Sequence, residues 1–423
     1  VDTFIRKIIK VQETKVKTGS TTNWLQTFGY DRFGNRTQFS QTINGNTIPN
    51  TNINHPTIDA TNNRFTTGQG YVYDYNGNLI NDAEGRSFTF NGDDKQTEVR
   101  NTSTNAVVGQ YAYDGSGARV KKYLPSTGET TVFVYDAGGA LAAEYSTVSP
   151  PPTPTTSYLT TDHLGSPRVV TDKSGNVIAR RDFMPFGEEL GAGVGGRTES
   201  QKYSVIGADN IRKRFTGYEK DDETGLDFAE ARMYQNKHGR FTAPDPLVAS
   251  ADATNPQTFN RYVYTGNNPM NYIDPSGLNW CRNDGNGTPR WAGKEKSCAS
   301  GETQITGETL RVAEKRLGSD MQFCANIANS KGKLTKVSSS VSTTEYTAFD
   351  ILGRVTAHRQ TTDGTAYTTG YNYNLSGALI EETYPSGRVV KNTLDTDGDL
   401  QQVQSRRVND SFRNYANAFT YTA

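Results

Sequence analysis

Tyr73-Asp74-Tyr75-Asn76-Gly77-Asn78-Leu79 is the stretch on which the reading of this chain turns. An aromatic is followed by Asp, two variable residues, Gly, a small or basic residue and an aliphatic. The same order stands at Tyr30-Asp31-Arg32-Phe33-Gly34-Asn35-Arg36, Tyr113-Asp114-Gly115-Ser116-Gly117-Ala118-Arg119 and Tyr135-Asp136-Ala137-Gly138-Gly139-Ala140-Leu141. It returns at Phe349-Asp350-Ile351-Leu352-Gly353-Arg354-Val355 and, with Asn for Asp, at Tyr373-Asn374-Leu375-Ser376-Gly377-Ala378-Leu379. Asp and Asn start turns by bonding nearby backbone, and Gly accepts positive φ, so Asp-x-x-Gly encodes a tight turn between two strands. Each copy is therefore a β-hairpin.

Working outward, the flanks Arg86–Phe90, Thr131–Tyr135 and Tyr367–Tyr371 mix aromatic or β-branched residues with polar ones, as half-buried strands do. Successive copies lie about 20 to 24 residues apart, or about twice that where a copy is degenerate, which suits two short strands and two turns per unit. One hairpin cannot stand alone. Hairpins laid edge to edge form a long ribbon in which only the ends lack a partner strand. Turn chemistry alone explains the Asp and the Gly but not the recurrent aromatic before them, which favours a true repeat. The acidic Asp395-Thr396-Asp397-Gly398-Asp399 lacks the twelfth-position Glu of a helical calcium loop and reads as another turn.

Composition agrees with a large sheet wet on one side: 41 Gly, 23 Tyr and a strongly negative mean hydropathy. The 45 basic residues balance the 45 acidic ones, so no charge excess points to nucleic acid or an anionic membrane as the main partner. No apolar run approaches a membrane span, and the first residues do not read as a signal peptide. Cys281, Cys298 and Cys324 fall in one atypical stretch; a Cys281–Cys298 disulfide is conceivable, but an odd count fixes no compartment. His55, His163, His238 and His358 are scattered, so neither a metal site nor a Cys/His nucleophile pair is visible, and no cofactor motif is present.

Four segments follow. Residues 1–156 carry repeats, with a polar Asn/Thr tract at 42–63 and a stiff Pro150–Pro154 run at the end. Residues 157–278 carry longer, closely spaced motifs. Residues 279–330 lack the repeat, and Thr309–Leu317 has the apolar spacing of one amphipathic helix. Repeats resume over 331–423.

The middle segment resembles the core domain of the Rhs, or YD-repeat, family, which includes polymorphic bacterial toxins, the C component of insecticidal toxin complexes and the teneurin shell. The likeness rests on Tyr158–Arg168 (YLTTDHLGSPR), Asp182–Gly187 (DFMPFG), Arg214–Glu219 (RFTGYE), Glu223–Leu226 (ETGL), Ala231–Tyr234 (ARMY), Gly239–Pro246 (GRFTAPDP) and Asn267–Leu278 (NNPMNYIDPSGL). With the flanking repeats it covers most of the chain. The resemblance implies an all-β fold in which the hairpin ribbon spirals into a hollow shell, with the core domain as an end plug. In toxin members the shell encloses the C-terminal polypeptide that follows the Asp-Pro-x-Gly-Leu signature. The partners so implied are the chain's own C-terminal cargo or other segments of the same shell, together with a secretion apparatus or a cell surface. The implied location is secreted or cell-surface associated.

Some family members cut themselves just after the Leu of that signature with aspartates of the core domain. Two carboxylates held close cannot both ionise freely, so one serves as acid while the other serves as base toward water. By motif match, Asp245 and Asp274 are the candidate catalytic pair, Arg240 a supporting charge, and Leu278–Asn279 the scissile bond. Asp-Pro also commonly opens turns, which gives both aspartates a purely structural alternative. Two departures stand out: Asp245-Pro246 continues as Leu-Val-Ala-Ser, and repeats follow the signature where the family carries a variable cargo. Either more shell follows the plug, or residues 331–423 naturally precede residue 1; the plug's central position favours the second. The rival functional reading is an adhesion or carbohydrate-binding module built on the aromatic-rich sheet. A third makes residues 279–330 an effector, although that segment shows no catalytic constellation.

Overall fold

A computed structural model describes residues 10–148, 156–203, 211–246, 256–278, 281–283, 289–291, 321–323, 327–330, 333–417 and 419. The helix expected over Thr309–Leu317, the pairing of Cys281 with Cys298, Asn279 and the junction at which segment order was in question lie outside those residues. Within them the chain is all-β and antiparallel, relieved only by short 3₁₀ turns such as Phe215–Gly217 and Asn236–His238. No helix among the described residues is long and apolar enough to cross a membrane.

The repeated phrase folds as its chemistry requires. At Asp74 the Gly77 N–H donates to the Asp74 carbonyl (3.1 Å), and the Asp74 N–H to the Asn78 carbonyl (3.0 Å). The Asp74 carboxylate accepts from the Asn78 N–H (2.8 Å) and from Asn78 Nδ2 (2.9 Å). Gly77 sits at φ +95°, where a side chain would be strained. This is a three-residue hairpin loop, a type I turn closed by a left-handed glycine. It recurs at Asp31, Asp114, Asp136, Asp350, Asn374 and Asp395. The sequence reading left Asp82-Ala83-Glu84-Gly85, Asp162-His163-Leu164-Gly165 and Asp172-Lys173-Ser174-Gly175 out of the repeat; they make the same turn.

The chain divides into two compact units, residues 1–110 with 150–300 and residues 111–149 with 301–423. In the first, Glu13–Thr18, Thr21–Tyr30, Arg36–Ile43 and Asn46–Ile48 form one sheet in chain order, and Val72–Tyr73 through Gln96–Asn101 continue the pattern. Residues 157–278 add small sheets, chiefly Glu219–Asp221, Leu226–Ala229, Arg232–Gln235 and Arg240–Phe241. Their centre is a cluster of Phe215, Tyr218, Ala229, Tyr234, Phe241 and Tyr264. The early repeats are fastened to it. Asn260 Nδ2 donates to Asn35 Oδ1 (2.9 Å), Asn267 Nδ2 to the Gly34 carbonyl (2.9 Å) and Arg36 Nη1 to the Lys237 carbonyl (3.0 Å). The buried Arg36 guanidinium stands over the rings of Phe28 and Phe186, 4.7 and 4.9 Å from their centroids.

In the second unit Arg119–Leu124, Glu129–Tyr135 and Leu141–Ser146 pack against strands drawn from Leu334–Ser338 through Arg413–Asn417. Gln360 Nε2 donates to the Phe133 carbonyl (2.8 Å). His358 lies between the two layers: Tyr371 accepts from the Ala137 N–H (2.8 Å) and donates to His358 Nδ1 (3.0 Å), leaving Nε2–H for the Tyr135 carbonyl (2.9 Å). That chain of bonds requires a neutral imidazole, and burial pulls its pKa below 6.5.

Two outcomes follow from these contacts. Asp74→Ala removes the carboxylate that holds the turn, and chemical denaturation should show a loss of about 1–3 kcal/mol, the cost of stranded buried donors. For His358 the unfolded state takes up protons that the folded state refuses, so stability falls as pH drops below 6.5 and is flat above it. The parent should lose up to about 1.4 kcal/mol per pH unit more than His358→Gln between pH 6.5 and 5, read from urea melts.

Candidate functional site

The signature Asp274-Pro275-Ser276-Gly277-Leu278 leaves the short strand Tyr272–Ile273 and lies along the hairpin formed by Leu226–Ala229 and Arg232–Gln235. The Ala231 N–H donates to the Ser276 carbonyl (3.0 Å), and the Gly277 N–H to the Asp274 carbonyl (3.3 Å). Gly277 is at φ +68°, and a Cβ there would stand 2.3 Å from the Ala229 carbonyl oxygen. Only glycine lets the two backbones approach this closely.

Both predicted aspartates come to this place, and they meet on one cation. Arg232, the first residue of its strand, sends Nη2 to Asp274 Oδ2 at 3.1 Å and to Asp245 Oδ2 at 3.9 Å. Its Nη1 donates to the Arg261 carbonyl (3.0 Å) and its Nε to the Gly277 carbonyl. The guanidinium lies 3.7 Å from the centroid of the Phe241 ring. All three side chains are buried: Arg232 is 6 % exposed, Asp245 8 % and Asp274 2 %. Asp245 is fixed further by its N–H to the Arg261 carbonyl (2.9 Å), and the Asp274 carbonyl accepts from the Tyr218 hydroxyl. Burial, with Tyr264 and Asp274 adding, holds the Tyr218 phenol well above its ordinary pKa, so it remains a donor.

Arg240 is elsewhere. Its Nη2 donates to the Asn63 carbonyl, and its guanidinium stacks between Phe65 (4.7 Å) and Tyr262 (4.8 Å). The charge beside the aspartates is thus Arg232's, a residue the sequence reading quoted in Ala231-Arg232-Met233-Tyr234 without giving it a role. Leu278 is half-buried immediately after the anchored Gly277. A guanidinium shared by two carboxylates offsets their mutual repulsion and, through Gly277, fixes the backbone that leads into Leu278.

One further carboxyl is perturbed. Asp227, fully buried opposite Lys220, is pushed up to about 6 by burial first, with Asp221 adding, while Lys220 Nζ at 3.5 Å opposes the shift. Among the described residues no group of three or more His, Cys, Asp or Glu side chains is placed to hold a metal ion.

A family model, the teneurin YD-shell, matches residues 121–270. Over those residues the chain is similar to YD-repeat shells. Over 274 residues it is 26 % identical to the tRNA3(Ser)-specific nuclease WapA of Bacillus spizizenii, a match covering 59 % of this chain and 11 % of that protein. Over 255 residues it is 27 % identical to the double-stranded DNA deaminase toxin A of Burkholderia cenocepacia, covering 49 % and 17 %. Among solved structures it is similar to the Photorhabdus luminescens Tc holotoxin pore, with a TM-score of 0.47 and 21 % identity over 63 % of this chain and 14 % of that one. The chain spans a small fraction of the length of these relatives.

Removing the shared cation should expose its importance. Arg232→Leu leaves two buried carboxylates uncompensated and should cost about 3–5 kcal/mol in denaturant titration. Adding Asp245→Asn to that variant should recover part of the loss. Recovery of nothing would mean that the two side chains are not electrostatically coupled.

Proposed function

We propose that this chain is a segment of an encapsulating shell that encloses a polypeptide, and that it cuts itself after Leu278. The observation that carries the reading is the chain-order hairpin ribbon, together with the YD-shell match over residues 121–270. The relatives' names support a carrier role: one is named a tRNA nuclease and another a DNA deaminase toxin, so the portion they share with this chain serves proteins with unlike chemistries. No partner need be nucleic acid for that role. The enclosed polypeptide would be the chain's own continuation or another segment of the same shell, acting outside the cell that makes it.

The self-cleavage reading is supported by the meeting of Asp245 and Asp274 at the signature and by the anchoring of Gly277. One aspartate would carry the proton delivered to the leaving amine of Asn279, and the other would draw a proton from the attacking water at the Leu278 carbonyl. The Asp245 carboxylate, at 3.9 Å the more loosely held by Arg232, is the better placed to change partner.

A second reading, adhesion, is favoured by one observation. Turn tips in the second unit display Ile351 (88 % exposed) and Leu375 (101 %), on hairpins that follow one another in the same sheet. Two large aliphatics on neighbouring turn tips would suit an apolar partner surface.

The full-length product decides between these readings. Purified protein should contain a protease-resistant polypeptide that becomes digestible only after denaturation. Mass spectrometry should find a new terminus at Asn279, absent from Asp245→Asn and Asp274→Asn. Intact mass in the parent removes the self-cleavage step; free digestion of every segment removes the enclosure. Ile351→Ser with Leu375→Ser should leave both results unchanged and abolish any cell binding.

A further inference from the structure

Leu141–Ser146 is the outermost strand of its sheet. Its inner side is taken by Glu129–Tyr135, in register from Thr131 opposite Ser146 to Tyr135 opposite Leu141. Beside it, within the second unit, is a cleft of about 470 Å³. We propose that this cleft receives an extended polypeptide segment bearing an acidic side chain, which adds to Leu141–Ser146 as a further strand.

Three observations support this. One wall is Ala142, Ala143, Glu144 and Tyr145, four residues in succession. Side chains alternate along a strand, so a cavity lying on one face would meet every second residue. Four in a row place it along the strand's edge, where backbone donors and acceptors template pairing. Ala142 and Ala143 are also small enough to leave room for a second backbone at strand spacing.

The opposite wall has a different character. Tyr384, Arg388 and Val390 come from the turn before Val389–Leu394 and from the start of that strand. Alternate residues here present one face, an aromatic and an aliphatic surface suited to alternate side chains of an added strand. Tyr384 is half-buried, and burial with Glu382 nearby pushes its phenol up to about 12, so its hydroxyl stays a donor.

The charge identifies the occupant. Arg388 Nε donates to Ser405 Oγ (2.8 Å), and its guanidinium lies 5.0 Å from the centroid of the Tyr415 ring. Among the described residues its head group is thus held by a hydroxyl and a ring, whereas Glu144 has a partner of its own within the fold. A half-buried guanidinium held by a hydroxyl and an aromatic face takes a carboxylate readily, and takes it in a fixed orientation. The segment that fits carries apolar, acidic and apolar side chains at alternate positions, all on one face.

The inference rests on the encapsulation reading only in taking the occupant to be polypeptide. The probe is a fluorescein-labelled, end-capped Val-Thr-Glu-Thr-Val peptide, whose Val and Glu side chains share one face, titrated into the purified chain and read by fluorescence anisotropy. Saturable binding is expected. It should weaken about tenfold or more, a loss of about 1.4 kcal/mol, in Arg388→Ala and in Ala143→Phe, and recover in part in Arg388→Lys. Substituting Lys for the probe's Glu should cost a similar factor. A probe N-methylated at alternate amides should not bind; equal affinity for it, or no saturation at millimolar probe, overturns the proposal. A dimer seen in sedimentation that Ala143→Phe dissolves and the probe cannot displace would give the edge to a second copy and also overturn it. Probe binding lost while the protease-resistant polypeptide persists sinks this site alone; the converse sinks enclosure alone.

Discussion

An Asp or Asn side-chain oxygen that accepts the backbone N–H four residues ahead, and at most turns also the one two residues ahead, is the interaction on which the rest of this protein depends. At Asp74, and at each equivalent turn, it fixes a loop of three residues and sets the third in the left-handed region that glycine fills. Loop length in turn fixes strand register, and register decides which side chains face inward. Because each loop is so short, a strand has one available neighbour, the next in the chain. The meander order of the sheets is thus a direct consequence of repeated local chemistry, without any long crossover.

The stretch 157–278 is organised on another principle. There, charged groups with aromatic faces hold together pieces far apart in sequence. Arg36 reaches from the early repeats to Lys237, and Arg232 spans from its hairpin to Asp274, Asp245, Arg261 and Gly277. Buried ion pairs of this kind contribute little net stability against an apolar alternative, but they permit one arrangement and penalise the rest. Such specificity matters where the signature must lie against one hairpin at backbone contact distance, as the crowding around Gly277 demands.

The difference between these principles accounts for what the sequence made legible. The turns could be read because all their determinants lie within five residues, and so could the all-β class that follows from them. Where the backbone turn persists without the Asp, as at Tyr384-Pro385-Ser386-Gly387 and Met184-Pro185-Phe186-Gly187, proline takes over the restriction of φ, and the phrase ceases to look like itself. Asp245 and Asp274 were legible as motif members, and they converge. Arg232 was not, because nothing local distinguishes it from Arg240: both precede an apolar residue at the start of a short strand, and only tertiary contacts reveal that one faces the carboxylates and the other a pair of rings. The buried Asp227 was hidden for the same reason.

The chain-order sheets also bear on how the molecule comes into being. A strand whose only mates are its immediate predecessor and successor needs no distant segment to complete it, so ordered structure can grow from whichever end emerges first, at the pace of synthesis or export. Among the exceptions is the fastening of Asn35 and Gly34 to Asn260 and Asn267, across more than two hundred residues. These bonds cannot close until the late segment has arrived. They form a terminal latch, which leaves the early hairpins of that unit reversible until the last of its sequence has been delivered.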